Sequence, residues 1–224
     1  MRIVLTGGHI APAIALVPFL QGHKVLFILR KHAYEGDSGL SFEYTMIKKL
    51  GMDFRVITAG RLQRSFTLRT IPSLLKFPVG LLQSFRILLG FRSHVVLSFG
   101  GYVALPVCLA AFFLGIPVIT HEQTIQIGLA NRIIGVFAKK ICVSFKETLL
   151  HIPKGKGVLT GNPVRSELFH VPQKPPFSLP SSFPVLYVTG GSTGSHDVNS
   201  LIFKILPELL KKYIVIHQTG SSTE

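Results

Sequence analysis

Acidic side chains are scarce in this chain. Ten Asp and Glu stand against 24 Lys and Arg, a formal net charge of +14, and from Phe54 to His121 there is no carboxylate at all. That interval carries Arg55, Arg61, Arg64, Arg69, Lys76, Arg86 and Arg92 among apolar residues, half of the net charge. Such a balance implies an anionic partner, whether nucleic acid, phosphorylated small molecule or anionic lipid. Cysteine is almost missing. Cys108 and Cys142 each fall in apolar segments, which excludes a disulfide framework and fits a reducing compartment. The nine histidines show no H-x-x-x-H or Cys/His ligand spacing, so no metal is expected. No turn reads G-x-x-x-x-G-K-[ST], which excludes an ATPase or GTPase loop. Gly7, Gly8 and Pro12 interrupt any signal-peptide core, so nothing targets the chain for export.

What is plentiful is apolar. Hydrophobic residues make up 47% of the 224, and the mean hydropathy is +0.45, which excludes disorder and leaves room for one full core. Between Arg92 and Glu122 the sequence SHVVLSFGGYVALPVCLAAFFLGIPVITH has no formal charge. It is long enough to cross a bilayer. A single spanning helix would have to contain Gly100, Gly101, Pro106, Gly115 and Pro117, however, and read with those breaks the stretch is strand, glycine turn, helix, strand. Unbroken apolar strands fit a parallel sheet covered on both faces.

The rest of the chain repeats this plan. RIVLT is a strand, GGH a turn and IAPAIALVPFL a helix. HKVLFIL and DFRVIT are further strands, with the helix FEYTMIKKLG between them, capped by Gly51. From Arg61 to Phe91 the sequence is broken at Pro72 and Pro78, with VGLLQSFRILLG as its one firm helix. Leu74, Leu75, Lys76, Phe77, Leu81, Leu82, Phe85 and Arg86 there read either as a crossover helix on the sheet or as a patch resting on a membrane. TIQIGLANRIIGVFA is a helix and KKICVSF a strand. Residues 170–184 hold five prolines and read as a linker. PVLYVTGGSTGSHDVNSLIFKILPELLKKYIVIHQTG then repeats strand, glycine turn, helix, strand. The fold class is α/β: a Rossmann-like parallel sheet with the start of a second Rossmann-like domain, divided as residues 1–163, a linker at 164–183, and 184–224.

Three glycine turns, TGGH at 6–9, FGGY at 99–102 and TGGS at 189–192, each join the carboxyl end of a strand to the amino end of a helix. Backbone amides gather there, so an anion fits without a basic side chain. His9, the only titratable group of the first turn, suits a general base on a sugar hydroxyl or, more plainly, a helix cap. His121, Glu122 and Gln123 end a strand, where polar residues either face a cleft or simply meet water. Strand two ends in Arg30 and Lys31 rather than an acid, which would suit an NADP 2′-phosphate, although TGGHIAPA lacks the later glycines of the dinucleotide fingerprint.

Seven motifs in order, GGHIAPAIAL, FGGYVALP, LGIPVITHEQ, IGLANR, GNPVR, VTGGSTGSHDVN and HQTG, make the chain resemble the MurG family of bacterial glycosyltransferases from residue 2 to about 220. The resemblance implies a GT-B architecture, lipid acceptor on the first domain and nucleotide sugar on the second. It implies inverting transfer of N-acetylglucosamine from UDP-N-acetylglucosamine to an undecaprenyl-pyrophosphoryl muramyl-peptide, in peptidoglycan precursor synthesis. No metal or other cofactor is implied, and the site is the cytoplasmic face of the membrane, held peripherally on anionic lipid.

His9 matches the family's base. Thr6, Gly7, Gly8, Gly100, Gly101 and Tyr102 match its acceptor loops, Glu122, Gln123, Thr124 and Asn131 further acceptor positions, and Asn162, Arg165, Gly191 and Ser192 the donor side. The family's GGTGGH is here only TGGH, its HEQN is HEQT at Thr124, and the chain stops short of most of the donor pocket. The expectation is a fragment or a subunit completed by a separate donor-domain chain. Three rivals accompany this reading: a non-catalytic acceptor-lipid or scaffold subunit, an NADP-dependent oxidoreductase, and a nucleic-acid binder, the last not expected.

Overall fold

A computed structural model describes residues 1–32, 40–60, 70–170, 178–179, 183–191 and 194–220, without the side chains of 70–75. Two compact units result, Met1–His170 and Val171–Glu224.

The first unit is built on a seven-stranded parallel sheet. Its strands are β1 (Arg2–Thr6), β2 (Lys24–Leu29), β3 (Phe54–Val56), β4 (Val95–Ser98), β5 (Val118–Glu122), β6 (Lys140–Val143) and β7 (Gly157–Leu159), in spatial order β3-β2-β1-β4-β5-β6-β7. Successive side chains of a strand point to opposite faces, and both faces are covered. Val4, Leu26, Ile28 and Val96 enter one core with Leu88, Val107 and Ile134 of α3 (Thr70–Phe91), α4 (Ala104–Phe113) and α5 (Leu129–Phe137). Ile3, Leu5, Phe27 and Leu29 enter the other with Ile10 and Ala13 of α1 (Ile10–Leu16) and Ile47 of α2 (Phe42–Lys49). This is why the strands lack alternation in the sequence. The uncharged stretch is β4, α4 and β5, and among the described residues no helix is long and apolar enough to cross a membrane.

Three elements differ from expectation. α3 is one helix of 22 residues that runs through both prolines. Pro72 lies in its first turn, where no amide partner is needed, whereas Pro78 lies inside and forfeits a helical hydrogen bond. Packing of Phe77, Leu81 and Phe85 against the core outweighs that loss. α5 begins only at Leu129, with Gly128 extended at its amino end, so TIQIG is loop. The first helix likewise ends at Leu16 and continues as a 3-10 turn, Val17–Leu20.

The second unit contains β8 (Val185–Thr189), α6 (His196–Leu209) and β9 (Ile214–Gln218), with the two strands parallel. Ser195 caps α6 by accepting from the Val198 amide. The boundary between the units falls at His170/Val171, inside the stretch expected to be linker, and a 3-10 turn at Ser166–Phe169 belongs to the first unit.

Two glycines of α3 make the helix packing testable. A Cβ on Gly80 would meet the Thr58 carbonyl oxygen, while one on Gly90 meets nothing within 4 Å. Gly80→Ala is expected to destabilise by about 1–3 kcal/mol through overpacking. Gly90→Ala should stabilise by up to about 1 kcal/mol through helix propensity. Urea unfolding of the two variants distinguishes them.

Candidate functional site

β1 and β4 are neighbours in space but lie on either side of the point where the strand order reverses, the place where an open parallel sheet leaves a crevice at its carboxyl edge. The first two glycine turns meet there. The Phe99 amide donates to the Thr6 carbonyl at 2.8 Å, and the Gly8 amide to the Gly100 carbonyl at 2.9 Å. Contact is so close that a Cβ on Gly7 would stand 2.9 Å from the Phe99 carbonyl carbon, and one on Gly101, whose φ is +78°, 2.9 Å from the Gly8 nitrogen. The first corner thus braces the second. Thr6 and Gly7 are buried and, with Gly8, do not line the adjoining cleft.

That cleft has a volume of about 830 Å³. It brings together His9, the expected base, with Gly100, Gly101, Tyr102, Glu122, Gln123, Thr124 and Asn131, seven of the positions expected on the acceptor side. His9 precedes α1 and is exposed. Its side chain makes no capping hydrogen bond, which removes the plainer explanation for a histidine at that position.

Glu122 is only 5% exposed, so the strand end does not simply meet water. Its carboxylate accepts from the Thr124 amide at 3.1 Å, the Thr124 hydroxyl at 2.8 Å, the Gly128 amide at 2.9 Å and the Asn131 side-chain amide at 2.9 Å. Burial alone would raise its pKa. The four bonds outweigh burial and hold the carboxyl below its ordinary 4.5.

Asn131 also donates to the His121 carbonyl at 3.0 Å and accepts from the Thr120 hydroxyl at 2.7 Å, and it backs directly onto Gly100. Both residues therefore shape the cleft wall through internal bonds. Thr124 does the same, replacing the family's amide by a hydroxyl that ties the loop to Glu122. Sequence reasoning missed Thr148, buried on a 3-10 turn, whose hydroxyl reaches the Thr124 and Ile125 carbonyls. It also missed the Ser98–Thr120 hydroxyl pair at 3.2 Å. Hydroxyls ending apolar strands were the available signal for that pair.

His121 is buried, with Nε2 3.0 Å from the Gly161 carbonyl. Burial lowers its pKa from the ordinary 6.5, although the Gly161 bond and nearby Glu122 act the other way. Burial pushes the Cys108 thiol up to about 12, against a Ser98 hydrogen bond, and also raises Cys142, so both stay protonated at neutral pH. Among the described residues no cluster could hold a metal.

Of the positions expected on the donor side, Asn162 and Arg165 are exposed on the first unit, Gly191 is exposed on the second, and Ser192 lies outside the described residues. Leu74 and Leu75 of the expected membrane patch have side chains outside the described set. Lys76 is half-buried. Phe77, Leu81 and Phe85 turn inward on the core, whereas Leu82, 62% exposed, and Arg86 point outward. The outward apolar surface continues where the sequence did not suggest it, onto Phe113 and Phe112 of α4. The Phe113 ring stacks 6.3 Å from that of Phe85, and the Phe112 ring lies tilted 5.1 Å from that of Phe137.

Residues 4–143 match the model of the glycosyltransferase family 28 N-terminal domain. The chain belongs to glycosyltransferase family 28. Curated relatives named UDP-N-acetylglucosamine--N-acetylmuramyl-(pentapeptide) pyrophosphoryl-undecaprenol N-acetylglucosamine transferase are 40% identical in Lachnospira eligens and 37% in Clostridium tetani, each over 98% of this chain. The chain spans 62% of the length of these relatives. Among solved structures, MurG of Acinetobacter baumannii superposes with a TM-score of 0.65 at 25% identity, over 99% of this chain and 59% of that one. A UDP-GlcNAc 2-epimerase from Neisseria meningitidis, at 0.62 and 16% identity over 99% of this chain and 66% of its own, shares the fold. The MurG-type resemblance is therefore shown, and the oxidoreductase is not favoured.

The buried carboxylate gives this family 28 cleft a pH signature. A native carboxyl with a lowered pKa contributes stability that is fully present above its ordinary 4.5 and is lost as pH falls through the native value. Glu122→Gln replaces an acceptor oxygen by a donor and is expected to cost about 2–3 kcal/mol at neutral pH. The gap from the parent should close below pH 4.5. Neutral, buried His121 gives an earlier loss as pH falls below 6.5, in both proteins. Urea unfolding across pH resolves the two windows.

Proposed function

We propose that the chain carries the acceptor half of an inverting, metal-independent transferase. It would move N-acetylglucosamine from UDP-N-acetylglucosamine to an undecaprenyl-pyrophosphoryl muramyl-peptide, the lipid I to lipid II step of peptidoglycan synthesis. The carrying observation is His9: an exposed imidazole with no capping bond, lining the same cleft as the braced Gly100–Gly101 corner. The names of relatives at 40% and 37% identity support the same substrate pair.

In this reading the acceptor diphosphate rests on the Gly100–Gly101–Tyr102 turn and the amino end of α4, where backbone amides and the helix dipole favour negative charge. His9 takes the proton of the sugar hydroxyl as that oxygen attacks the anomeric carbon, and UDP leaves from the opposite face. Gln123, half-buried on the cleft wall, contacts the acceptor directly. Asn162, Arg165, Gly191 and Ser192 serve the donor, with the acceptor domain taken as 1–163, the linker as 164–183 and the donor domain beginning at 184. The chain works at the cytoplasmic face of the membrane. Leu82, Phe112 and Phe113 enter the interface and Arg86 faces anionic headgroups.

Two measurements test this reading. His9→Ala should bind a lipid I analogue within a few-fold of the parent while UDP release from UDP-N-acetylglucosamine, measured with the donor half supplied, falls by about 10²–10⁴. Unchanged UDP release would remove His9 from the chemistry. In sedimentation with vesicles, a Leu82→Asp, Phe113→Asp double variant should lose binding. Arg86→Ala should weaken it by about 1 kcal/mol on anionic vesicles and leave neutral ones unaffected. Equal retention of all proteins on anionic vesicles would place the membrane contact elsewhere.

A further inference from the structure

At the amino edge of the first sheet, opposite the cleft, three local rules are broken in one place. Arg2 opens β1 and Lys24 opens β2, and the two are partners in register. Parallel strands lie about 4.8 Å apart and their register partners point to the same side, here the side on which Val4 and Leu26 enter the core. Like charges so placed destabilise a sheet.

Arg92, directly after α3, has a φ of +52° and is the one non-glycine residue in the left-handed region among the described residues. Its amide donates to the Leu89 carbonyl at 3.0 Å and the Ser93 amide to the Leu88 carbonyl at 3.1 Å, the paired bonds of a helix end at which glycine is favoured. An arginine held there is strained. Arg2, Lys24 and Arg92 then line one open hollow of about 520 Å³ with Met1, Gly22 and His94, without a carboxylate. Among the described residues none of the three basic side chains has a hydrogen-bond or ion-pair partner. The carboxyl end of α3 offers about half a negative charge against three cations, and two of its last carbonyls are already taken by amides. Nδ1 of His94 accepts from the Arg2 amide at 2.9 Å, which leaves the ring proton on Nε2 as a further donor.

We propose that this hollow is a second anion site, independent of the acceptor reading, and that it binds a phosphate or diphosphate group. Guanidinium groups present paired N–H donors that suit phosphate oxygens, and Lys24 adds a point charge. An anion among them turns the Arg2–Lys24 repulsion into attraction and gives the strained Arg92 a use.

Amide NMR of the full 224-residue chain, titrated with sodium pyrophosphate at low ionic strength, tests this. The Gly22, Lys24, Arg92 and His94 amides should shift together and saturate, with a midpoint separate from any shift at Gly100–Tyr102. Arg92→Gly should unfold at higher urea than the parent, because glycine suits the left-handed position, yet bind about fivefold more weakly at those amides, and Lys24→Gln should lose a similar factor. Lys154→Gln, an exposed charge elsewhere, should stay within about twofold. If Arg92→Gly does not fold, Lys24→Gln carries the comparison. Vesicles of phosphatidylglycerol separate the sources of such a phosphate: retention that falls with pyrophosphate affinity in the site variants identifies a lipid headgroup, and unchanged retention identifies a soluble ligand. No saturable shift at the four amides, parent-like affinity in both site variants, or equal losses for Lys24→Gln and Lys154→Gln overturns the proposal and leaves the acceptor reading standing.

Discussion

The site depends on how closely two backbone turns can approach. Where β1 and β4 end, the Gly7–Gly8 corner lies against Phe99, Gly100 and Gly101 with no space for a Cβ at Gly7 or Gly101. Two hydrogen bonds join the corners. Parallel strands on either side of a reversal in strand order normally leave an open crevice. Here part of the crevice is filled by backbone, which sets the floor against which Tyr102 and the start of α4 are presented. The Gly7–Gly8 corner is support and the Gly100–Gly101 corner is surface, although their sequences look equivalent.

Glu122 imposes the second constraint. A carboxylate that is 5% exposed is tolerated because four hydrogen bonds replace its water. Those bonds close the Thr124–Gly128 loop and start α5, and Asn131 links the carboxylate to the Thr120 hydroxyl and to the back of Gly100. The wall of the cleft and its floor are therefore one connected polar network. In such a network the removal of any member exposes the rest to an unsatisfied partner. His9, Gln123 and Tyr102 line the cleft outside that network.

Much of this was legible in the sequence. Strands bounded by glycine, Pro106 in an opening turn and Gly115 past a helix end are local signals, and they located β4, α4 and β5. The parallel sheet and the MurG-type motifs followed from the same residues. What stayed hidden was non-local. Pro72 and Pro78 look like helix breaks until Phe77, Leu81 and Phe85 are seen packed on the core. TIQIG has helical composition, but the Gly128 amide is captured by a carboxylate six residues earlier. The same limit applies to roles. Motif position put Glu122, Thr124 and Asn131 beside a ligand, and only their partners reveal how far their polar atoms are engaged within the protein. On α3, a list of apolar and basic residues could not separate the inward Phe85 from the outward Leu82.

The acid-free interval from Phe54 to His121 has one more consequence for the face made by α3 and α4. Exposed Arg86 and half-buried Lys76 are the basic side chains of α3. The two histidines of the interval lie away from that face: His121 is buried where β5 ends, and His94 accepts the Arg2 amide at the start of β1. The interval holds no carboxylate that could offset the basic residues of this face, and ionic strength is the variable left to tune its field.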